Sequence, residues 1–187
     1  MNAIAKEAQI TNDFEQKSAA QLAAGPMRRR AKALADRIQE GAAELAAFAE
    51  QLTEAEWRLP LSASDRRSVG VIVHHVANMY PIEIDVVRAV AGGNVVSDVT
   101  WEVVAQINAK HALEQADVRK ESALELLRRN SSEAAAAVRE FTDDELDQAA
   151  PFSLSSGAPV TAQFVIEDHP LRHSWHHLAG IRKAVGR

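Results

Sequence analysis

The sequence predicts an all-α fold, a four-helix bundle preceded by a polar amino-terminal extension. Three observations carry that expectation. Only 8 Gly and 6 Pro interrupt 187 residues. Ala, Leu, Glu, Arg and Gln dominate the long segments, and their side chains lose little rotamer freedom in a helix. Apolar residues recur at three-, four- and seven-residue steps, which places them on one buried helical face. A chain of this length fits one domain with a sizeable core.

The elements follow in order. Residues 1–25 are polar and weakly periodic and end at Gly25-Pro26. They are expected to form a flexible extension, leaving 26–187 as the helical domain. From Met27 to Leu52, the positions Leu34, Ile38, Leu45, Phe48 and Leu52 predict an amphipathic helix. Thr53-Glu54-Ala55-Glu56 begins a short turn, Trp57 follows as a core anchor, and residues 59–65 read as loop. A second long helix starts near Ser68 and stops at Gly92-Gly93. Its β-branched run, Val69 to Val76, also suits a strand, but the apolar pattern continues well past strand length. Pro81 inside it should kink the helix or open one backbone hydrogen bond.

Thr100 caps a third helix, and a fourth runs from about Lys120 to Phe141 with Leu124, Leu127 and Val138 on its apolar side. These two could form one bent helix. Thr142 caps a further short turn, and the segment PFSLSSGAPV reads as loop or a small hairpin. The last helix spans about Thr161 to Ala184, with Pro170 marking a kink or a fresh start.

Composition also excludes functions. With no cysteine there is no disulfide, no thiolate ligand and no Cys nucleophile, so any metal must rest on nitrogen and oxygen donors. The amino terminus has no apolar h-region, and no window approaches the roughly 18 apolar residues of a membrane span. The net charge is −5, whereas a phosphate-backbone binder usually shows a basic stripe. The one compact basic run, Arg28-Arg29-Arg30 with Lys32 behind it, reads as a solvated helix face. A cytoplasmic protein with neither nucleic-acid nor membrane partners is expected.

Five of the seven histidines fall at positions 74, 75, 173, 176 and 177. His173 and His177 are four residues apart, so on a helix their Cβ atoms stack on one face about 6 Å apart. Two imidazoles so placed can reach one ion. An isolated pair of this kind is more often a surface or core-edge pair. Here a second cluster, His74-His75, lies on another apolar helix and strengthens the metal reading. Neighbouring residues point about 100° apart, so at most one of His74 and His75 faces the same ion, and the flanking Ile72, Val76, Met79 and Ile82 do not decide which. Ser174, Trp175 and His176 separate the pair, so the glutamate of an H-E-x-x-H metalloprotease is missing. Three imidazoles would leave a coordination position open.

The segments SVGVIVHHVANMYPIE and EDHPLRHSWHHLAGIRKAVG resemble the two metal-bearing segments of the DinB-like four-helix-bundle superfamily. The likeness covers about residues 28–187 and includes Leu52 to Trp57. Its first motif, a histidine followed by an apolar residue and often Ala, matches His75-Val76-Ala77 better than His74. Its second, a histidine pair closed by an aliphatic turn, matches His173 and His177 with Leu178 and Ile181. The resemblance implies one divalent ion, zinc or nickel, held by His75, His173 and His177 with solvent completing the site. Relatives include transferases and isomerases that use a low-molecular-weight thiol.

Other residues are weighed beside these. Asn108 and His111 could face the interior near the metal, although Gln106, Lys110 and Glu114 favour an exposed polar face. His169 extends the stripe of His173 and His177, but Pro170 could swing it away. Glu167 and Asp168 are candidates to orient an imidazole through its second nitrogen, with solvation near a helix start as an equal reading. Trp101 and Trp175 read as core, and Tyr80 as a possible proton donor. No catalytic base is evident. Two functions compete: a metal-dependent transferase using a small thiol on a small-molecule substrate, with hydrolysis by water as a variant, and a non-catalytic, stress-associated metal-binding protein. A homodimer suits either.

Overall fold

The structure, a computed structural model, describes residues 28–187. The expected extension over 1–25 lies outside the described residues. The long helices are α1 (Arg29–Glu50), α3 (Val69–Ala91) and α5 (Lys120–Arg139), with the one-turn α2 (Glu54–Trp57) between the first two. A further helix, α4 (Trp101–Glu114), precedes α5. After α6 (Asp143–Asp147) come two short strands, β1 (Ala149–Pro151) and β2 (Pro159–Thr161), and a composite last helix. That helix consists of α7 (Ala162–Ile166), a π-helical turn over Glu167–Leu171, and α8 (Arg172–Val185). No described helix is long and apolar enough to cross a membrane.

Four-helix packing uses α1, α3, α5 and the α7–α8 segment. Helix α1 packs on α5 and α8, and α3 packs on α5 and on α7–α8. The consecutive long helices α1 and α3 therefore sit diagonally, and α3 lies beside the last helix. That adjacency brings the two histidine segments together. The core is mostly small and aliphatic, with Trp57, Tyr80 and Phe152 as its largest fully buried side chains. Two glycines admit tryptophans: a Cβ on Gly70 would lie 2.4 Å from the Trp57 ring, and one on Gly41 would lie 2.7 Å from Trp175 Nε1.

Local chemistry sets the helix boundaries. Thr53 and Thr142 each form a complete capping box, with Glu56 and Glu145, at the short helices. Ser68, Thr100 and Thr161 accept a backbone N–H at the starts of α3, α4 and α7. The β-branched run from Val69 is helical, and the helix continues through Pro81 to Ala91. Proline has no N–H to donate to the carbonyl four residues back, at Ala77. Asn130 of α5 takes that role, donating Nδ2 to Ala77 O at 2.8 Å within the core.

Alternatives that the sequence left open are decided in the structure. The third and fourth helices are not one bent helix: α4 ends at Glu114, α5 begins at Lys120, and α4 lies outside the four-helix packing with His111 as its one buried residue. The segment around PFSLSSGAPV is a small hairpin, pairing Ala149 with Thr161 and Pro151 with Pro159. It is tied to the α3–α4 connection by Val96 N–H donating to Pro151 O and by Ser153 Oγ donating to Val99 O. Pro170 does not start a fresh helix. The chain widens into a π turn and then resumes as α8.

Candidate metal centre

Helix α3 carries His75, Met79 and Glu83 on one face, at steps of four, and the π turn hands its register to α8, which carries His173 and His177. The three histidines each offer a ring nitrogen, and those atoms all lie within 4.8 Å of one another. His173 Nε2 stands 3.2 Å from His75 Nε2. Ring centroids are 5.0 Å apart for His75–His173, 5.5 Å for His75–His177 and 4.9 Å for His173–His177. Burial disfavours the charged imidazole and, with the neighbouring histidines, holds His75 down to about 2 and His177 down to about 3. Both are neutral at ordinary pH, the form that ligates metals.

The remaining nitrogen of His173 is spoken for. Its Nδ1 lies 2.7 Å from Glu83 Oε1, and Glu83 is buried. A neutral His173 donating there leaves its Nε2 lone pair turned toward the centre, an orientation that carboxylates impose on metal-binding imidazoles. Glu83 Oε2 has no hydrogen-bond partner, and the described residues place no lysine or arginine on this carboxylate. A buried carboxylate with so little compensation, beside three converging imidazoles, fits a bound divalent cation. Among the described residues the cluster contains three members and no fourth protein ligand.

The triad opens into a cavity of about 280 Å³. Met79, Ile82 and Val86 of α3 line one side, and Trp101 and Val104 of α4 line another. Polar side chains also line it, among them Arg67, Glu83, Asn108, Asp168, His169 and Arg172.

Adjacent His74 and His75 take different partners. His75 joins the triad, whereas His74 Nδ1 sits 2.8 Å from His111 Nε2 with the rings stacked. The exposed-face reading of Asn108 and His111 is overturned, because His111 is buried and Asn108 lines the cavity with its Oδ1 buried and unpartnered. His169 stays on the cavity wall, edge-on to Phe152, and outside the triad. Glu167 and Asp168 do not orient a triad imidazole: Glu167 accepts from Gln163, and Asp168 pairs with Arg172. Tyr80 is no proton donor to the cavity, since it is fully buried and bonded to Ser174 Oγ at 2.7 Å. Trp101 is 64% exposed at the cavity edge rather than core, and Trp175 is half-buried against Gly41.

Sequence reasoning missed Glu83 and Arg67. For Glu83 a signal existed: an acid inside an apolar run, two helical turns beyond His75. Arg67 sits in the loop before α3, where spacing carries no information.

No curated protein matches the chain. Among solved structures it is similar to YfiT from Bacillus subtilis, described as a probable metal-dependent hydrolase with an unusual four-helix bundle topology. The identity is 18%, the TM-score is 0.68, and the match covers 84% of this chain and 86% of that one. At this identity the likeness establishes the shared fold. The model of the DinB superfamily matches residues 37–181, a span that runs from α1 into α8 and takes in both histidine segments. The chain therefore belongs to the DinB superfamily.

Proposed function

We propose that this protein is a metal-dependent enzyme in which His75, His173 and His177 hold one divalent transition-metal ion, zinc or nickel. The observation that carries the reading is the opening of the three-imidazole cluster onto a cavity, with no fourth protein ligand among the described residues. Structural sites normally close with four protein ligands. A bound ion would supply Lewis acidity and ease the ionisation of a small nucleophile near neutral pH.

The chain's own groups favour a low-molecular-weight thiol as that nucleophile, transferred to a small electrophile. Glu83 is buried and committed to His173, and Asp168 is paired with Arg172, so neither carboxylate is free to take a proton from water. A thiol ionises near pH 8.5 and needs less help than water. The aliphatic and aromatic walls would shelter an apolar electrophile and exclude bulk water. Hydrolysis is the second reading, favoured by His169. Burial lowers its pKa, leaving a neutral ring on the cavity wall that can accept a proton. The hydrolase description of YfiT adds to it.

Metal analysis of the purified protein tests the centre. On the order of one ion per chain is expected, with loss in the His75→Ala and His173→Ala variants. Undiminished metal in both variants sinks the reading. Consumption of electrophiles with and without added cellular thiols then separates the chemistries, since dependence on thiol supports transfer and turnover in buffer alone supports hydrolysis.

A further inference from the structure

Arg67 occupies an electrostatically odd place. Its side chain is only 24% exposed and lines the cavity with the triad. A guanidinium beside imidazoles that would hold a divalent cation is unfavourable unless negative charge lies between them. Asp65 supplies part of that charge. Its carboxylate takes Arg67 Nε at 2.9 Å and Nη2 at 2.7 Å, and also accepts the Arg67 backbone N–H. Leu61 N–H, donating to Arg67 O, fixes the loop from the other side.

This anchoring uses one edge of the planar fork. Nη1 has no protein partner among the described residues, and a guanidinium carries five N–H donors. The unused edge, Nη1 with the second hydrogen of Nη2, has the shape that binds an oxyanion in bidentate fashion. We propose that Arg67 determines specificity by binding the oxyanionic head group, a carboxylate or a phosphoryl group, of the small molecule that reacts at the histidine cluster. The apolar walls receive the rest of that molecule. The inference rests on the triad being a metal centre, and its test separates the two.

Titration calorimetry on the full-length, zinc-loaded protein would use benzoate, phenyl phosphate and the neutral isostere benzamide. At least one oxyanion should bind more tightly than benzamide, and which one does so identifies the head group. Arg67→Met should weaken that oxyanion about tenfold or more and leave benzamide unchanged. Arg67→Lys, which keeps the charge without the fork, should fall between them and guards against a folding defect. Equal oxyanion affinity in wild type and Arg67→Met, or no preference over benzamide, overturns the proposal. Repeating the titrations without zinc distinguishes the failures. Arg67-dependent binding that persists in protein unable to retain zinc supports the arginine site while the metal reading falls.

Discussion

At the scale of single residues, the behaviour of the centre turns on Glu83 as much as on the three histidines. Its carboxylate sets the His173 ring orientation, and its second oxygen is buried without a partner. Glu83→Gln keeps the size and removes the charge. It should weaken zinc affinity roughly 10- to 100-fold, measured by competition with a chelator. Unchanged affinity would show that Glu83 does not support the ligand. The metal-free protein should also carry a pH signature. His75 and His177 titrate below the ordinary imidazole value of 6.5 in the folded state. Below that value the unfolded chain binds protons that the native state refuses, so stability is full above about pH 6.5 and declines as pH falls. Urea midpoints of the metal-free protein should drop steadily from about pH 7 to pH 5, and His75→Gln should flatten part of the slope.

Among the elements, α3 depends on its neighbours at two points. Pro81 strips Ala77 O of its helical partner, and Asn130 supplies a donor from α5. Asn130→Leu should therefore destabilise the protein by about 1–3 kcal/mol, the penalty for an unsatisfied buried carbonyl. Pro81→Ala restores the N–H and should recover part of the loss. A double-mutant cycle by urea denaturation reads the coupling directly, and additive effects would refute the compensation. Near the start of the same helix, Gly70 lets the Trp57 indole lie against the backbone while Nε1 donates to Val118 O at 3.0 Å. Gly70→Ala forces that rigid ring to move and should cost about 1–3 kcal/mol, seen as a lower melting temperature. An unchanged melting temperature would mean that the ring yields freely.

For the whole molecule, the centre joins α3 to α8, which come from distant parts of the chain. Zinc binding only to the folded state should raise the melting temperature, with stabilisation of about 2.7 kcal/mol at a free concentration one hundred times Kd. Chelation should reverse the shift, and the His173→Ala variant should show none. An unshifted transition in the wild type would argue that the cluster does not bind zinc in the native state. Helix α4 lies outside the four-helix packing and beside the cavity. It contributes cavity walls and holds the bundle through the His111–His74 contact, yet most of its surface faces solvent.

The sequence by itself determined the helical class, most helix starts and the His173–His177 pair, because these depend on local periodicity, capping side chains and four-residue spacing. Ser68, Thr100 and Thr161 mark their helices whatever the rest of the chain does. It could not choose between His74 and His75 from spacing, since that choice is the rotation of α3 about its axis, and packing against α5 and the last helix sets the rotation. The partnership of Glu83 with His173, the rescue of Ala77 by Asn130 and the placing of Arg67 beside the triad span long stretches of chain. Only the tertiary structure decided them, because the diagonal placement of α1 and α3 puts the last helix beside α3, and no local pattern encodes which helices become neighbours.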